Sequence, residues 1–352
     1  MFCADCTLVQ LSSVPPSKVV FADDYNYLTG STNDAVRYFS RVADLLIDKF
    51  DLSERDKVLD IGSNDGTFLR FLQVRGIEVI GVDPAPKPAA IANKNGVRTI
   101  CRPFEDCVED VAKWCDDRLR LVTAFNVLAH TDRVHLFLDG VRKLLSNDKT
   151  VFMSQSHYLP VLIDERQYDT IYHEHARYYT ATSLKSLLNQ HGLHLFDAEE
   201  SDYYGGSIMA YAAPTESSAT KRLGDLLSRE RRFAEFETYA KFARGVEENR
   251  LRLRGLLEQL KREGNSIAGV GAPMKSSTLL NYCGIDSQIL DYVTEVNPLK
   301  INTYTPGTHI KVVSEGTFFK SPPHFALILS WNVADSIIEK FKVKGYKGSF
   351  II

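Results

Sequence analysis

The stretch Val58-Leu59-Asp60-Ile61-Gly62-Ser63-Asn64-Asp65-Gly66-Thr67-Phe68-Leu69 constrains this chain more than any other. Val58, Leu59 and Ile61 suit a strand buried on both faces, and a glycine turn then opens a helix near Thr67. Strand, glycine turn and helix in that order form the entrance of an α/β nucleotide-binding fold. Gly62 lets a ligand approach the backbone, and Gly66 lets strand and helix pack closely. A second apolar strand, Val79-Ile80-Gly81-Val82, closes on Asp83. An acid at the end of each of two such strands is the layout of an S-adenosylmethionine (SAM) site, with Asp60 near the amino-acid end of the ligand and Asp83 at the ribose hydroxyls. NAD is the competing ligand. Its three-glycine fingerprint is absent, because Ser63, Asn64 and Asp65 fill the loop where a pyrophosphate would sit.

At 352 residues the chain has room for two cores and a helical connection. A formal net charge of −3 gives no general attraction to nucleic acid or to an anionic membrane. No apolar run approaches a membrane span and no signal peptide opens the chain, so a cytoplasmic location is expected. The six cysteines build no disulfide framework. Cys3 and Cys6 have the spacing of half a four-cysteine zinc site, whose second pair is missing; an unmetallated remnant is the first reading and zinc the second.

From Val58 onward strands and helices alternate, with strands at Val58 to Ile61, Val79 to Val82, Thr99 to Ile100, Leu121 to Phe125 and Val151 to Ser154. That pattern is a mostly parallel, doubly wound sheet, preceded by a core-facing helix from about Thr32 or Asn33 to Phe50. Ligands in such sheets lie beyond the carboxyl ends of the strands. The reading therefore groups Asp60, Gly62, Asn64, Gly66, Asp83, Pro84, Phe104, Glu105, Asn126, Val127 and His130 around the cofactor. Phe104 and Glu105 take the adenine side; Asn126, Val127 and His130 face the substrate.

Polar and aromatic residues crowd the stretch from Tyr168 to Tyr179, at whose centre stand Tyr172-His173-Glu174-His175. A zinc-protease helix is excluded, since His-Glu-x-x-His is not present, and two histidines with one residue between them lack a third metal ligand. Proton transfer suits these residues better, because a His near neutral pKa can take a proton from carbon beside a carbonyl while a carboxylate or phenol steadies the charge. A structural hydrogen-bonded cluster is the alternative. Upstream, Tyr25 and Tyr27 lie in the aromatic, turn-rich segment Phe21 to Ser31. From residue types alone packing is the first reading there, and a phenol offered to a substrate oxyanion is the second.

Tyr203-Tyr204-Gly205-Gly206-Ser207 leads into a closing hairpin strand, and Pro214 to Thr220 reads as a linker. Leu223, Leu226, Leu227, Phe233, Phe236, Phe242, Val246, Leu253, Leu256, Leu257 and Leu260 then keep helical spacing, which predicts one long helix nearly to Gly264. A second α/β unit opens at Ile267-Ala268-Gly269-Val270-Gly271. Its turn amides with Lys275 and Ser276 could hold a phosphate, without the spacing of an NTP-hydrolysing loop. Trp331-Asn332 ends its last clear strand. The expected divisions are 1–31, an aromatic and cut-short zinc-ribbon-like segment; 32–213, a SAM domain; 214–264, linker and helix; and 265–352, a Rossmann-like domain.

With these motifs in view, the chain resembles the sugar-nucleotide C-methyltransferases of deoxysugar biosynthesis over nearly all its residues. The likeness is carried by Cys3/Cys6 with Leu8-Val9-Gln10-Leu11, Tyr25-Asn26-Tyr27, the SAM loop, Ile171-Tyr172-His173-Glu174-His175, Gly205-Gly206, Gly269-Val270-Gly271-Ala272 with Lys275-Ser276, Thr305-Pro306-Gly307, and Trp331-Asn332. The resemblance implies a class I SAM-methyltransferase sheet plus a carboxyl-terminal Rossmann-like domain, and methylation of a nucleotide-linked keto-deoxysugar on the carbon alpha to its ketone. It further implies that His175 is the base, that Glu174 and Tyr172 assist it, and that Tyr25 or Tyr27 faces the enolate. The sugar nucleotide would meet Lys275, Ser276, Gly205, Gly206, Trp331 and Asn332, and Cys3 and Cys6 would belong to a shortened zinc segment. Gln155 departs from a usual Glu and Tyr204 from a usual His, which leaves the sugar open. O- or N-methylation of a non-sugar metabolite and a catalytically silent SAM-binding scaffold are the rival functions. Monomer and homodimer both stay open.

Overall fold

The computed structural model describes residues 1–20, 25, 27–145 and 149–352, so that Phe21, Ala22, Asp23, Asp24 and Asn26 of the aromatic segment lie outside the described residues. The chain divides into two compact units. The first comprises Met1–Val161 with His173–Phe236, and the second comprises Leu162–Tyr172 with Glu237–Ile352. The eleven residues before the His-Glu-His motif thus belong with the carboxyl-terminal half, where the Tyr168 hydroxyl donates to Asn249 at 3.0 Å and Thr278 Oγ1 donates to the carbonyl of Ile171 at 3.1 Å.

In chain order the strands of the first unit are β1 (Val9–Gln10), β2 (Lys57–Ile61), β3 (Glu78–Val82), β4 (Thr99–Ile100), β5 (Leu119–Phe125), β6 (Val151–His157), β7 (Arg177–Tyr178), β8 (His194–Ser201) and β9 (Ser207–Ala213). Seven of them form one sheet in the order β4-β3-β2-β5-β6-β9-β8, parallel except where β9 runs antiparallel between β6 and β8. β2 is buried at every position, as its apolar run requires of a central strand covered on both faces. One face packs on the helix Asn33–Phe50 through Tyr38, Phe39, Val42 and Leu46. The other packs on Phe137, Leu138 and Val141 of the helix Val134–Leu144. Thr32 caps the first of these helices, its Oγ1 accepting the Ala35 N–H. β1 pairs antiparallel with β7 as a separate ribbon.

The second unit holds β10 (Ile267–Val270), β11 (Tyr292–Glu295), β12 (Val312–Ser314), β13 (Phe325–Ile328) and β14 (Ser349–Ile351), all parallel in the order β12-β11-β10-β13-β14. Consecutive connections diverge from β10, so the switch point of a doubly wound sheet lies between β10 and β13.

The long helix expected after Pro214 is interrupted. Helices Lys221–Arg229 and Phe236–Arg262 are separated by a 3₁₀ segment at Glu230–Ala234. The cause is Glu230, which turns inward and accepts hydrogen bonds from the amides of Ala181 and Thr182, from Thr182 Oγ1 and from the Tyr158 hydroxyl. A carboxylate consumed in capping the helix Ala181–Gln190 cannot stay on the outer face of a continuous helix. Among the described residues no helix is long and apolar enough to cross a membrane.

Candidate active site

The turn after β2 is built around glycines that nothing larger could replace. Gly62 has φ +73°, and a Cβ there would collide with Val127; Gly66 has φ +76° and would press on Val97. The loop between them turns its side chains onto the amino-terminal segment. The Asn64 carbonyl oxygen accepts the Thr29 N–H at 2.9 Å, its amide donates to the Tyr27 carbonyl at 3.2 Å, and Asp65 accepts the Gly30 N–H at 2.9 Å. Tyr27 is therefore tied to the cofactor loop through its backbone carbonyl.

Asp83 is buried, not the exposed carboxylate that a surface ribose contact suggests, and each of its oxygens accepts one backbone N–H, from Asn64 at 2.8 Å and from Ala85 at 2.8 Å. A carboxylate offers about four acceptor directions. One remains on each oxygen, which fits the two adjacent hydroxyls of a ribose. Asp60 is fully buried and accepts Thr123 Oγ1 at 2.7 Å; burial pushes its carboxyl up to about 8, against that hydrogen bond and with a smaller push from Asp83. Burial likewise pushes Asp83 up to about 6, against its two amide donors. Two desolvated carboxyls at the carboxyl ends of β2 and β3 fit a ligand that brings hydroxyl donors and an ammonium, as SAM does.

The other expected cofactor residues are distributed less evenly. Asn126 adopts φ +55° directly after β5, and its N–H donates to the Gln155 carbonyl at 2.8 Å. Glu105 accepts Thr131 Oγ1 at 3.0 Å. The Phe104 ring is buried against Phe137 and packs beneath Gly140, so its placement is that of a core residue. Pro84 follows Asp83 in the turn that Ala85 closes.

The base candidate is pinned by its neighbours. Next to His175 the Ala176 N–H donates to Ala129 at 2.7 Å, and the Tyr179 hydroxyl donates to Leu128 at 3.1 Å, which fastens the motif onto the loop after β5. His175 is buried, with its ring centroid 4.9 Å from that of His130 and 5.0 Å from that of His157. Burial, then the proximity of His175 and His157, drives the pKa of His130 well below its ordinary value, so His130 is neutral. His157, at the end of β6, was not among the residues singled out by sequence. Its signal is the polar run Ser154-Gln155-Ser156-His157 closing an otherwise apolar strand.

Tyr25 sits near Glu174, Asp83 and Tyr204. Burial first, then those three neighbours, hold its phenol far above the ordinary value, so it is an O–H donor at any working pH. Tyr27 shares a hydrogen bond with Tyr204, a non-glycine residue in left-handed conformation, while Tyr203 stacks on Tyr38 at 3.6 Å. Gly205 and Gly206 continue the left-handed run, and a Cβ on Gly206 would strike Val161; their evident work is to shape this turn.

In the second unit Lys275, Asp169, Trp331 and Asn332 form a cluster at the ends of β10 and β13. Lys275 Nζ lies 3.7 Å from the Trp331 ring centroid and donates to Asn332 at 2.7 Å, and the Trp331 indole N–H donates to Asp169 at 2.6 Å. Burial lowers the Lys275 pKa to about 8, with Asp169 opposing. Ser276 differs from expectation: its hydroxyl is spent on the Pro273 carbonyl at 2.6 Å. Asp169 is the member that sequence reading missed.

The sulfur atoms of Cys3 and Cys6 interact with each other, but among the described residues no group of three His, Cys, Asp or Glu side chains is placed to share a metal ion. Two thiols do not make a tetrahedral zinc site, so the residues present do not fit structural zinc.

The family model described as "Methyltransferase domain" matches residues 34–197, and that described as "C-methyltransferase C-terminal domain" matches residues 202–352. C-methyltransferase NovU of Streptomyces niveus is 34% identical over 344 residues, covering 97% of this chain and 81% of that protein. Among solved structures, PH0226 protein of Pyrococcus horikoshii aligns with TM-score 0.44 and 16% identity, over 54% of this chain and 95% of that one. A 1,6-didemethyltoxoflavin-N1-methyltransferase of Burkholderia thailandensis aligns with TM-score 0.38 and 18% identity, over 51% and 79%.

Proposed function

The chain belongs to the C-methyltransferase family and is a SAM-dependent methyltransferase, and from that premise we propose that it methylates a nucleoside-diphosphate keto sugar on the carbon alpha to the ketone, through an enolate. A C–H bond beside a ketone is a weak acid. Removing its proton needs a positioned base and a donor for the growing charge on oxygen, each contributing roughly 10² to 10⁴ in rate. The observation that carries the reading is Tyr25, a phenol held protonated beside both Glu174 of the histidine motif and Asp83 of the cofactor turn.

In this reading SAM, held by Asp60, Gly62, Asn64, Gly66, Asp83 and Asn126, supplies an electrophilic methyl group. His175 takes the alpha proton on its imidazole. Tyr25 donates to the oxygen that becomes an enolate, with Tyr27 and Tyr172 in support, and Glu174 orients or polarises the base. His130, being neutral, adds no positive charge beside His175 and so leaves it able to accept a proton. The electron pair of the broken C–H bond then forms the new carbon–carbon bond as the methyl–sulfur bond of the sulfonium breaks, its electron pair staying on sulfur so that S-adenosylhomocysteine leaves, and the proton passes later from His175 to water. Lys275, Trp331 and Asn332 take the nucleotide, whose charge has a use for a half-buried ammonium.

O- or N-methylation requires no carbon base and no exchange of a C–H proton. Incubation with nucleoside-diphosphate keto sugars in heavy water tests the reading. Exchange of the alpha proton, followed by SAM-dependent gain of a methyl group on carbon, is the expected result; methylation without any exchange-competent C–H overturns the enolate route.

A further inference from the structure

At the carboxyl end of β6 two neighbouring side chains, the Gln155 carboxamide and the Ser156 hydroxyl, are buried without a hydrogen-bond partner among the described residues. Gln155 is fully buried, and among the described residues neither its Oε1 nor its Nε2 has a hydrogen-bond partner. Its backbone is satisfied, since its carbonyl accepts the Asn126 N–H, so the defect belongs to the carboxamide alone. Buried amides are ordinarily paired, and one kept unpaired at a ligand-binding sheet edge is a group awaiting a partner.

Its surroundings say what kind of partner. Gln155 stands between Phe125 on β5 and Met209 on β9, on the sheet face that carries Tyr38 and Phe39. Tyr38, whose hydroxyl burial pushes up to about 12, bonds Ser201 at 3.4 Å and faces Gln155, and both neighbours oppose that rise. Tyr38 stacks on Tyr203, which is followed by Tyr204 with its bond to Tyr27. Asp202 and Arg41 act on Tyr38 as the smallest influences, behind burial and the two side-chain partners, so what meets Gln155 directly is aromatic rings and neutral dipoles. A desolvated ammonium would need a carboxylate here and a phosphate would need a cation, whereas a carboxamide both donates and accepts, as a hydroxyl does.

We propose that Gln155 is a specificity-determining residue whose carboxamide reads a neutral ring hydroxyl of the substrate and discriminates against an amine at that position. The inference rests on the keto-sugar reading above and deepens it. Its cost falls on the unliganded protein and its benefit on the complex, which is what separates it from a structural glutamine.

The test compares wild type, Gln155→Met and Gln155→Glu on a panel of nucleoside-diphosphate keto sugars in which one ring hydroxyl at a time is present, absent or replaced by an amine. For one position, Gln155→Met should raise KM for the hydroxyl-bearing substrate at least tenfold and erase its advantage over the deoxy analogue. Unliganded Tm should stay level or rise, and SAM affinity in calorimetry should not move. Gln155→Glu, if it folds, should shift preference toward the amine. A fall in Tm for Gln155→Met would mean that the fold itself satisfies the amide, and an unchanged hydroxyl-to-deoxy ratio at every position would mean that no substrate hydroxyl does; either overturns the inference. If wild type methylates no keto sugar, the functional reading fails and this inference with it. If wild type is active and only the ratio is unmoved, this inference fails alone.

Discussion

A carboxyl that resists ionisation at pH 7 is a strange choice for the central strand of a sheet unless something else brings the charge. Asp60 has one hydrogen-bond donor and a folded-state pKa of about 8 against an ordinary value of 3.8. Between those values the native protein holds a proton that the unfolded chain has lost, so this group makes unliganded stability fall as pH rises through the window. The ammonium of bound SAM favours the ionised form. Binding at pH 7 should therefore expel about one proton, measured as the dependence of calorimetric enthalpy on the ionisation enthalpy of the buffer. Asp60→Asn should abolish the release, and a wild type that releases none would remove Asp60 from the amino-acid end of the ligand. His175→Ala should lose both alpha-proton exchange and methylation while its SAM affinity stays intact. If it methylates at the wild-type rate, His175 is not the base. Asp60 and Asp83 are singled out in sequence by residue type and position at a strand's end, and His175 by its motif and the family resemblance. Gln155 and His157 are not, since an unpaired amide or a third imidazole is a property of surroundings drawn from distant stretches.

At the level of elements, local pattern carried the reading as far as local forces act. The central strands and the helix Asn33–Phe50 follow from runs and periodicities that a single segment contains. The placement of β9 between β6 and β8 does not, and neither does the break at Glu230–Ala234, where Leu226, Leu227, Phe233 and Phe236 keep one helical phase although Glu230 fills the apolar position between them. What interrupts it is a partner 49 residues earlier, the Ala181 amide, which donates to Glu230 at 2.6 Å. Removing that carboxylate strands the buried Ala181 amide, the half-buried Thr182 amide and the hydroxyls of Tyr158 and Thr182. Glu230→Ala should therefore destabilise the first unit by about 2–4 kcal/mol, read from chemical denaturation, and Glu230→Gln by less, because a carboxamide oxygen still accepts. SAM affinity of the remaining folded protein should be unchanged. A loss below about 0.5 kcal/mol, the size of an ordinary surface change, would show that the break in the helix has another cause.

Among the described residues each unit carries a desolvated titratable site at the ends of its central strands, Asp60 with Asp83 in the first and Lys275 in the second, and they make opposite demands on protons. In the first, the proposed binding of a cationic cofactor would ionise an acid and expel a proton. In the second, burial has lowered Lys275 to about 8, so above that pH the folded protein holds it largely neutral while the unfolded chain keeps it charged. That group makes stability rise with pH between about 8 and 10.5, the reverse of Asp60. A diphosphate placed on Lys275 favours the ammonium, and binding must then take up a proton wherever the free protein lacks it. KM for the nucleotide-linked substrate should accordingly climb as pH passes 8, while SAM affinity follows the carboxyls and shows no loss over the same range. Lys275→Ala should raise KM at pH 7 and flatten its rise above pH 8. Lys275→Arg should keep the charge at all pH values and so flatten the profile, but without the compact ammonium that Asn332 and Trp331 hold. A Lys275→Ala protein with unchanged KM and weakened SAM binding would exchange the roles of the two units. Unchanged affinity for both ligands would leave the cluster of Lys275, Trp331 and Asp169 as packing alone.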